Sequence, residues 1–190
     1  SGDATKWFLI QGKAGTGKTT IIKEVLKEFP IANIIVGALS HKAKSVIKES
    51  MANSNIRPRF YTIAGMTGQK LNMETGEFVA DPRAEKPIEF ADIIVVDEAS
   101  MVNEQALEMI MALKPKKTKV IFLGDIGQLP PIRTIQNPYY KTASKKDLFG
   151  KKSPVFQTTN SSKLVTRVRQ GELNPILPFA DYFWNNSQSA

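Results

Sequence analysis

An α/β fold, with a parallel sheet covered by helices on both faces, follows from three features of this sequence. Short apolar runs alternate with amphipathic stretches in the order strand, helix, strand, helix. The run DIIVVDE at 92–98 is nearly all β-branched between its acids, as expected of a strand buried on both faces. The first apolar run leads directly into a glycine-rich loop that opens a helix.

The elements can be justified in order. KWFLI (6–10) reads as a buried strand ending at Gly12. From Lys18 to Phe29, the residues Ile21, Ile22, Val25, Leu26 and Phe29 recur at helical spacing, and Pro30 follows as a stop. NIIVGAL (33–39) is a second strand and HKAKSVIKESMA (41–52) a second helix. After the strand at 92–98 comes a helix from about Asn103 to Leu113, then a strand KVIFLGD at 119–125. Two stretches break the alternation. Residues 69–90 are polar, with Glu74-Thr75-Gly76 as a turn, and read as a β-hairpin inserted into a single domain spanning 1–190. Residues 127–154 carry Pro130, Pro131, Pro138 and Pro154 and a lysine cluster, and read as loop with room for one short helix.

Composition narrows the function. The 190 residues suit one domain, and 42% hydrophobic residues suffice for a core. No apolar run approaches the ~20 residues that span a bilayer, and the first residues do not read as a signal peptide. The chain has no cysteine, which excludes disulfides, thiolate zinc sites and thiol catalysis, and fits a cytoplasmic protein. His41 is the single histidine, so a histidine-rich metal site or a Ser-His-Asp triad is not expected. A formal net charge of +8 points modestly to a polyanionic partner, or else only to solubility.

GKAGTGKT at 12–19 fits the pattern G-x-x-x-x-G-K-[ST] between strand and helix. Gly12, Gly15 and Gly17 let the backbone curl until successive N–H groups point inward at phosphate oxygens. The helix that begins near Lys18 adds its positive end. The stretch Gly12, Lys13, Ala14, Gly15, Thr16, Gly17, Lys18, Thr19, Thr20 is therefore the expected nucleotide cradle. Lys18 can reach the β- and γ-phosphates, and the Thr19 hydroxyl can ligate Mg²⁺. The rival is a glycine-rich turn that binds nothing.

Asp97 and Glu98 end the apolar run. Two acids at the carboxyl end of a buried parallel strand lie where ligands bind in open sheets. Asp97 is expected to hold Mg²⁺, and Glu98 to orient and deprotonate the attacking water. Two solvated acids capping the next helix are the plainer alternative. Together with the loop, they point to a nucleoside triphosphatase.

GDIGQLPPI at 124–132 then narrows the class. Asp125 and Gln128 follow a strand end and are expected beside the γ-phosphate. Gln128 can donate to a phosphate oxygen and register its loss, and the stiff Leu129-Pro130-Pro131 segment can carry that change outward. A proline-rich surface loop accounts for the prolines but not for Gly-Asp-x-x-Gln before them.

With these motifs in order, the chain resembles the first RecA-like domain of superfamily 1 helicases, in the RecD-like and Dda-like branch. GKAGTGKTT resembles motif I, VVDEAS motif II and GDIGQLPPI motif III. ALSHKAKSV (38–46) resembles motif Ia, and YTIAGMTG (61–68) the T-I-H-S-type motif, with Ala64 where the family has histidine. LVTRVRQ (164–170) resembles motif IV, which implies Arg169 as an arginine finger. The family's adenine-reading glutamine motif is not visible in the eleven residues before Gly12. The resemblance implies ATP and Mg²⁺ as cofactors and single-stranded DNA as partner. It implies 5′ to 3′ movement and a second RecA-like domain, which the chain itself does not contain, so that it resembles a fragment.

The expected DNA contacts are Ser40, His41 and Lys42 after the second strand, with Thr62 in the T-I-H-S-type motif and Pro131 near the end of motif III. His41 can stack on a base or bond a phosphate, and Lys42 can pair with one. The hairpin resembles the family's duplex-splitting pin, with Phe78 as a base-stacking wedge or, equally, an aromatic that packs the hairpin down. Rival readings are an RNA helicase of the same superfamily, a nucleotide-gated binding module without translocation, and a P-loop kinase.

Overall fold

The computed structural model describes residues 7–13, 15–72, 74, 78–128, 153–158 and 161–163. The strands of the main sheet are β1 (Phe8–Gln11), β2 (Ile34–Ala38), β3 (Arg59–Thr62), β6 (Ile93–Val96), β7 (Lys119–Gly124) and β8 (Ser161–Lys163). They run in the spatial order β3-β2-β6-β7-β1-β8, every pairing parallel. The helices are α1 (Lys18–Lys27), α2 (His41–Met51), the single turn α3 (Ile63–Met66) and α4 (Glu104–Leu113).

Alternation along each strand sorts the core into two layers, because successive side chains point to opposite faces. On one face Phe8, Ile10, Ile34, Val36, Ile93, Val95, Ile121 and Leu123 meet Ile22, Val25 and Leu26 of α1 and Ile47 and Met51 of α2. On the other, Leu9, Ile35, Ile94, Val96, Val120 and Phe122 meet Ile63 and Met66 of α3 and Leu107 and Ile110 of α4. Both faces of the inner strands are thus covered, which is why they read as unbroken apolar runs. The sequence expectation of a parallel α/β sheet with helices on both sides holds.

The edges hold what patterning did not mark. β3 pairs with β2 from Ile35 opposite Arg59 to Ala38 opposite Thr62, yet its side chains are only partly covered. β8 is Ser-Ser-Lys and joins β1 through its backbone. Near it, the Trp7 indole N–H donates to the Val155 carbonyl at 2.9 Å and its ring meets Phe122 edge-on at 6.3 Å.

The inserted segment is a two-stranded antiparallel ribbon, β4 (Gln69–Leu71) with β5 (Phe78–Ala80). It is shorter than the 69–90 expected for the insertion. Beyond Ala80 the chain turns back, with the Asp81 N–H donating to the Gly68 carbonyl. The 3-10 turn Pro87–Phe90 then sinks Ile88 fully into the core. Among the described residues no helix is long and apolar enough to cross a membrane.

Candidate functional site

The carboxyl ends of β1, β7 and β6 lie side by side, so the three motifs read from the sequence meet at one rim. The Gly12 N–H donates to the Gly124 carbonyl at 3.0 Å and ties the start of the glycine-rich loop to the end of β7. Within the loop, Thr16 turns back on the Lys13 carbonyl through its N–H and its hydroxyl. Gly15 and Gly17 take φ of +77° and +87°, and a Cβ at either would meet nothing within 4 Å. Glycine is needed there for its backbone, not for space. Gly17 also opens α1 with no side-chain cap, which leaves the first-turn N–H groups to face the rim.

Lys18 donates from Nζ to the carbonyls of Gly12 and Lys13. Desolvation lowers its pKa from the usual lysine range, and the charges of Asp125 and Asp97 act against that. The ammonium is therefore near enough to both carboxylates to feel them. Thr19, one residue on, is half-buried in the first turn of α1, and Thr20 is exposed beside it.

Asp97 follows β6 and accepts the Glu98 N–H on Oδ1 at 2.9 Å. Desolvation raises its pKa, opposed by that hydrogen bond and by Lys18. Glu98 is exposed at the rim, and its pKa is raised by partial desolvation and then by the charge of Asp97. Among the described residues Glu98 is the one non-glycine with positive φ, +56°. A left-handed non-glycine residue costs roughly 1–3 kcal/mol and persists where the surroundings impose it. The surroundings here are tight: a Cβ at Gly124 would lie 2.7 Å from the Ala99 Cβ and 3.3 Å from the Phe156 ring. The chain after Glu98 is thus pressed onto the end of β7. Gly124→Ala is expected to cost about 1–3 kcal/mol through overpacking; a lower urea midpoint checks it.

At the end of β7, Asp125 Oδ1 accepts from the Gly127 N–H at 2.9 Å, and its carbonyl accepts from the Gln128 N–H at 3.0 Å. This turn carries Gln128 back toward the carboxylates. The Ser100 Oγ donates to the Gln128 Oε1 at 3.2 Å. Two clefts open at the rim and both are lined by Glu98. One, of about 490 Å³, adds Met101, Gly127 and Gln128. The other, of about 210 Å³, adds Ser40, Lys42, Ala43, Val46 and Asp97.

That second cleft joins the carboxylates to the start of α2. Ser40 caps α2, accepting the Ala43 N–H at 3.1 Å, while His41 and Lys42 are exposed on its first turn. Thr62 caps α3 in the same way, accepting from the Gly65 N–H at 3.0 Å. Phe78 sits across from Leu71 in the ribbon and is 51% exposed. The expected site residues Ala14, Pro131 and Arg169 lie outside the described residues.

The sequence reading brought Lys18, Asp97, Glu98 and Gln128 together, and it missed Ser100 and the left-handed backbone of Glu98. The small pair Ala99-Ser100 after the acids was the available signal.

Residues 3–134 match a family model described as an AAA domain. The chain is 31% identical over 158 residues to the uncharacterized protein R530 of Acanthamoeba polyphaga mimivirus, covering 72% of this chain and 31% of that protein. It is 29% identical over 150 residues to the RecBCD enzyme subunit RecD of Buchnera aphidicola subsp. Schizaphis graminum, covering 67% of this chain and 23% of RecD. In fold it is similar to the Pif1 helicase from Bacteroides solved with ADP-AlF3 and ssDNA, with a TM-score of 0.53 and 22% identity, covering 90% of this chain and 40% of that one. The chain thus spans less than half the length of each of these proteins. It belongs to the AAA domain family, and its parallel α/β fold is similar to that of the Pif1 helicase structure.

Proposed function

We propose that the chain is the first motor domain of an ATP-dependent DNA helicase, coupling ATP hydrolysis to movement on single-stranded DNA. The observation that carries this reading is the meeting of the glycine-rich loop, the Asp97-Glu98 pair and Gln128 at adjoining strand ends. The backbone N–H groups of Lys13, Gly15 and Gly17 to Thr20 cradle the phosphates, and Lys18 pairs with the β- and γ-phosphate oxygens. Magnesium fits the donor set: it favours hard oxygen ligands and is commonly held by one or two protein groups plus the substrate's phosphates. The Thr19 hydroxyl and the Asp97 carboxylate would hold it, and when bound it neutralises charge on the phosphates. Glu98 orients the attacking water and takes its proton as the bond to the leaving ADP breaks. Gln128 donates to the γ-phosphate and loses that partner on hydrolysis.

Nucleic acid fits the opposite side of the smaller cleft. His41 and Lys42, exposed on the first turn of α2, supply a stacking ring and a charge for phosphate. The cleft that Lys42 lines reaches Asp97 and Glu98, so strand and nucleotide would act on neighbouring groups. The Pif1 neighbour was solved with ssDNA, which supports DNA as the nucleic acid. Arg169 and a second RecA-like domain would complete the site, and Phe78 would meet the duplex fork.

Partial duplexes with a 5′ tail, a 3′ tail or an RNA tail test the reading on the full-length protein. Unwinding that needs ATP and a 5′ DNA tail is the expected result. Preference for RNA, or nucleotide binding without unwinding of any substrate, would contradict it.

A further inference from the structure

Ser100 is 2% exposed, and its hydroxyl donates to the Gln128 amide oxygen 28 residues further along the chain. A primary amide carries one acceptor oxygen and two donor hydrogens on nitrogen, so fixing the oxygen fixes where the hydrogens point. A phosphate oxygen only accepts. Nε2 of Gln128 can therefore bind it, whereas a flipped amide would present Oε1 and repel it.

We infer that Ser100 is a positioning residue that locks the Gln128 amide in the orientation able to donate to the γ-phosphate. The inference rests on the nucleotide role proposed for Gln128. Ser100 suits the task because its own turn is held at both ends. The Met101 N–H donates to the Glu98 carbonyl at 2.9 Å, and the Val102 N–H to the Ala99 carbonyl at 3.2 Å. Beyond the turn, the buried Ser153 hydroxyl donates to the Val102 carbonyl at 2.6 Å. Gln128, by contrast, is an exposed residue anchored through its backbone by Asp125. Its amide needs a partner to hold one orientation, and the fixed turn supplies one. Because Glu98 heads that turn, one short piece of chain sets both the carboxylate and the amide.

The test uses the full-length protein and reads kcat for ATP hydrolysis with saturating single-stranded DNA, beside affinity for a fluorescent ADP analogue, which lacks the γ-phosphate. Ser100→Ala should lower kcat about tenfold, the effect of losing one orienting hydrogen bond, while ADP affinity stays unchanged. Ser100→Cys, which keeps the side-chain shape with a slightly larger atom and a weaker donor, should fall between. In a Gln128→Ala background Ser100→Ala should cost nothing more, because the group it orients is gone. Wild-type kcat in Ser100→Ala, or the same fold-loss with and without Gln128, would overturn the inference. Full kcat in Gln128→Ala alone would instead overturn the underlying reading of Gln128, and the inference with it.

Discussion

Lys18→Ala is expected to cut ATP turnover by about 10²–10³-fold, the usual result of removing one fixed donor from a charge-stabilising site. The side chain lies inside the loop, bonded to the Gly12 and Lys13 carbonyls and within the field of Asp97 and Asp125. The Lys23 Nζ, further along α1, is engaged elsewhere, donating to the Ser50 carbonyl at 3.2 Å. Lys23→Ala should therefore leave turnover unchanged and serves as the control. Nucleotide affinity should fall with Lys18 as well, because the ammonium pairs with charge already present on bound ATP. Steady-state turnover and titration with a fluorescent ATP analogue check both.

Glu98→Gln should separate binding from chemistry. It keeps the shape and removes the base, so turnover should fall by about 10²–10⁴-fold while ATP is still bound. The pH profile of the wild type carries a second signature. Desolvation, then the Asp97 charge, favours the protonated form of Glu98 and raises its pKa. As pH falls, the base is lost earlier than an ordinary glutamate would be, so the acid limb should lie above the usual glutamate range of about 4.3. An acid limb at or below that value would argue against Glu98 as the base.

The central strands were legible because burial on both faces forces an apolar, β-branched composition. Ile93 to Val96 and Val120 to Leu123 are fully covered, and the runs IIVV and VIFL announce it. The edges were not legible for the opposite reason. β3 is half-covered, and β8 carries no apolar residue, so its place beside β1 comes from backbone pairing that no side-chain pattern records. Ile88, between Pro87 and Glu89, belongs to no periodic apolar pattern, yet that one side chain takes its turn into the core. At the rim, the loop and the acids were legible because the roles proposed for them, holding phosphate and metal, call for those residue types at those spacings. The Ser100–Gln128 contact and the left-handed Glu98 were not. The first joins residues far apart in the chain, and the second arises from Ala99 packing onto Gly124, a fact of tertiary structure.

The central claim is that nucleotide hydrolysis at the rim of β1, β7 and β6 is coupled to nucleic acid lying across the start of α2. The most direct measurement is ATP turnover by the full-length protein as single-stranded DNA is titrated in, for the wild type and for Lys42→Ala. Saturable stimulation in the wild type, with the half-maximal DNA concentration raised in Lys42→Ala, is the predicted result. Turnover indifferent to DNA in the wild type would contradict the claim.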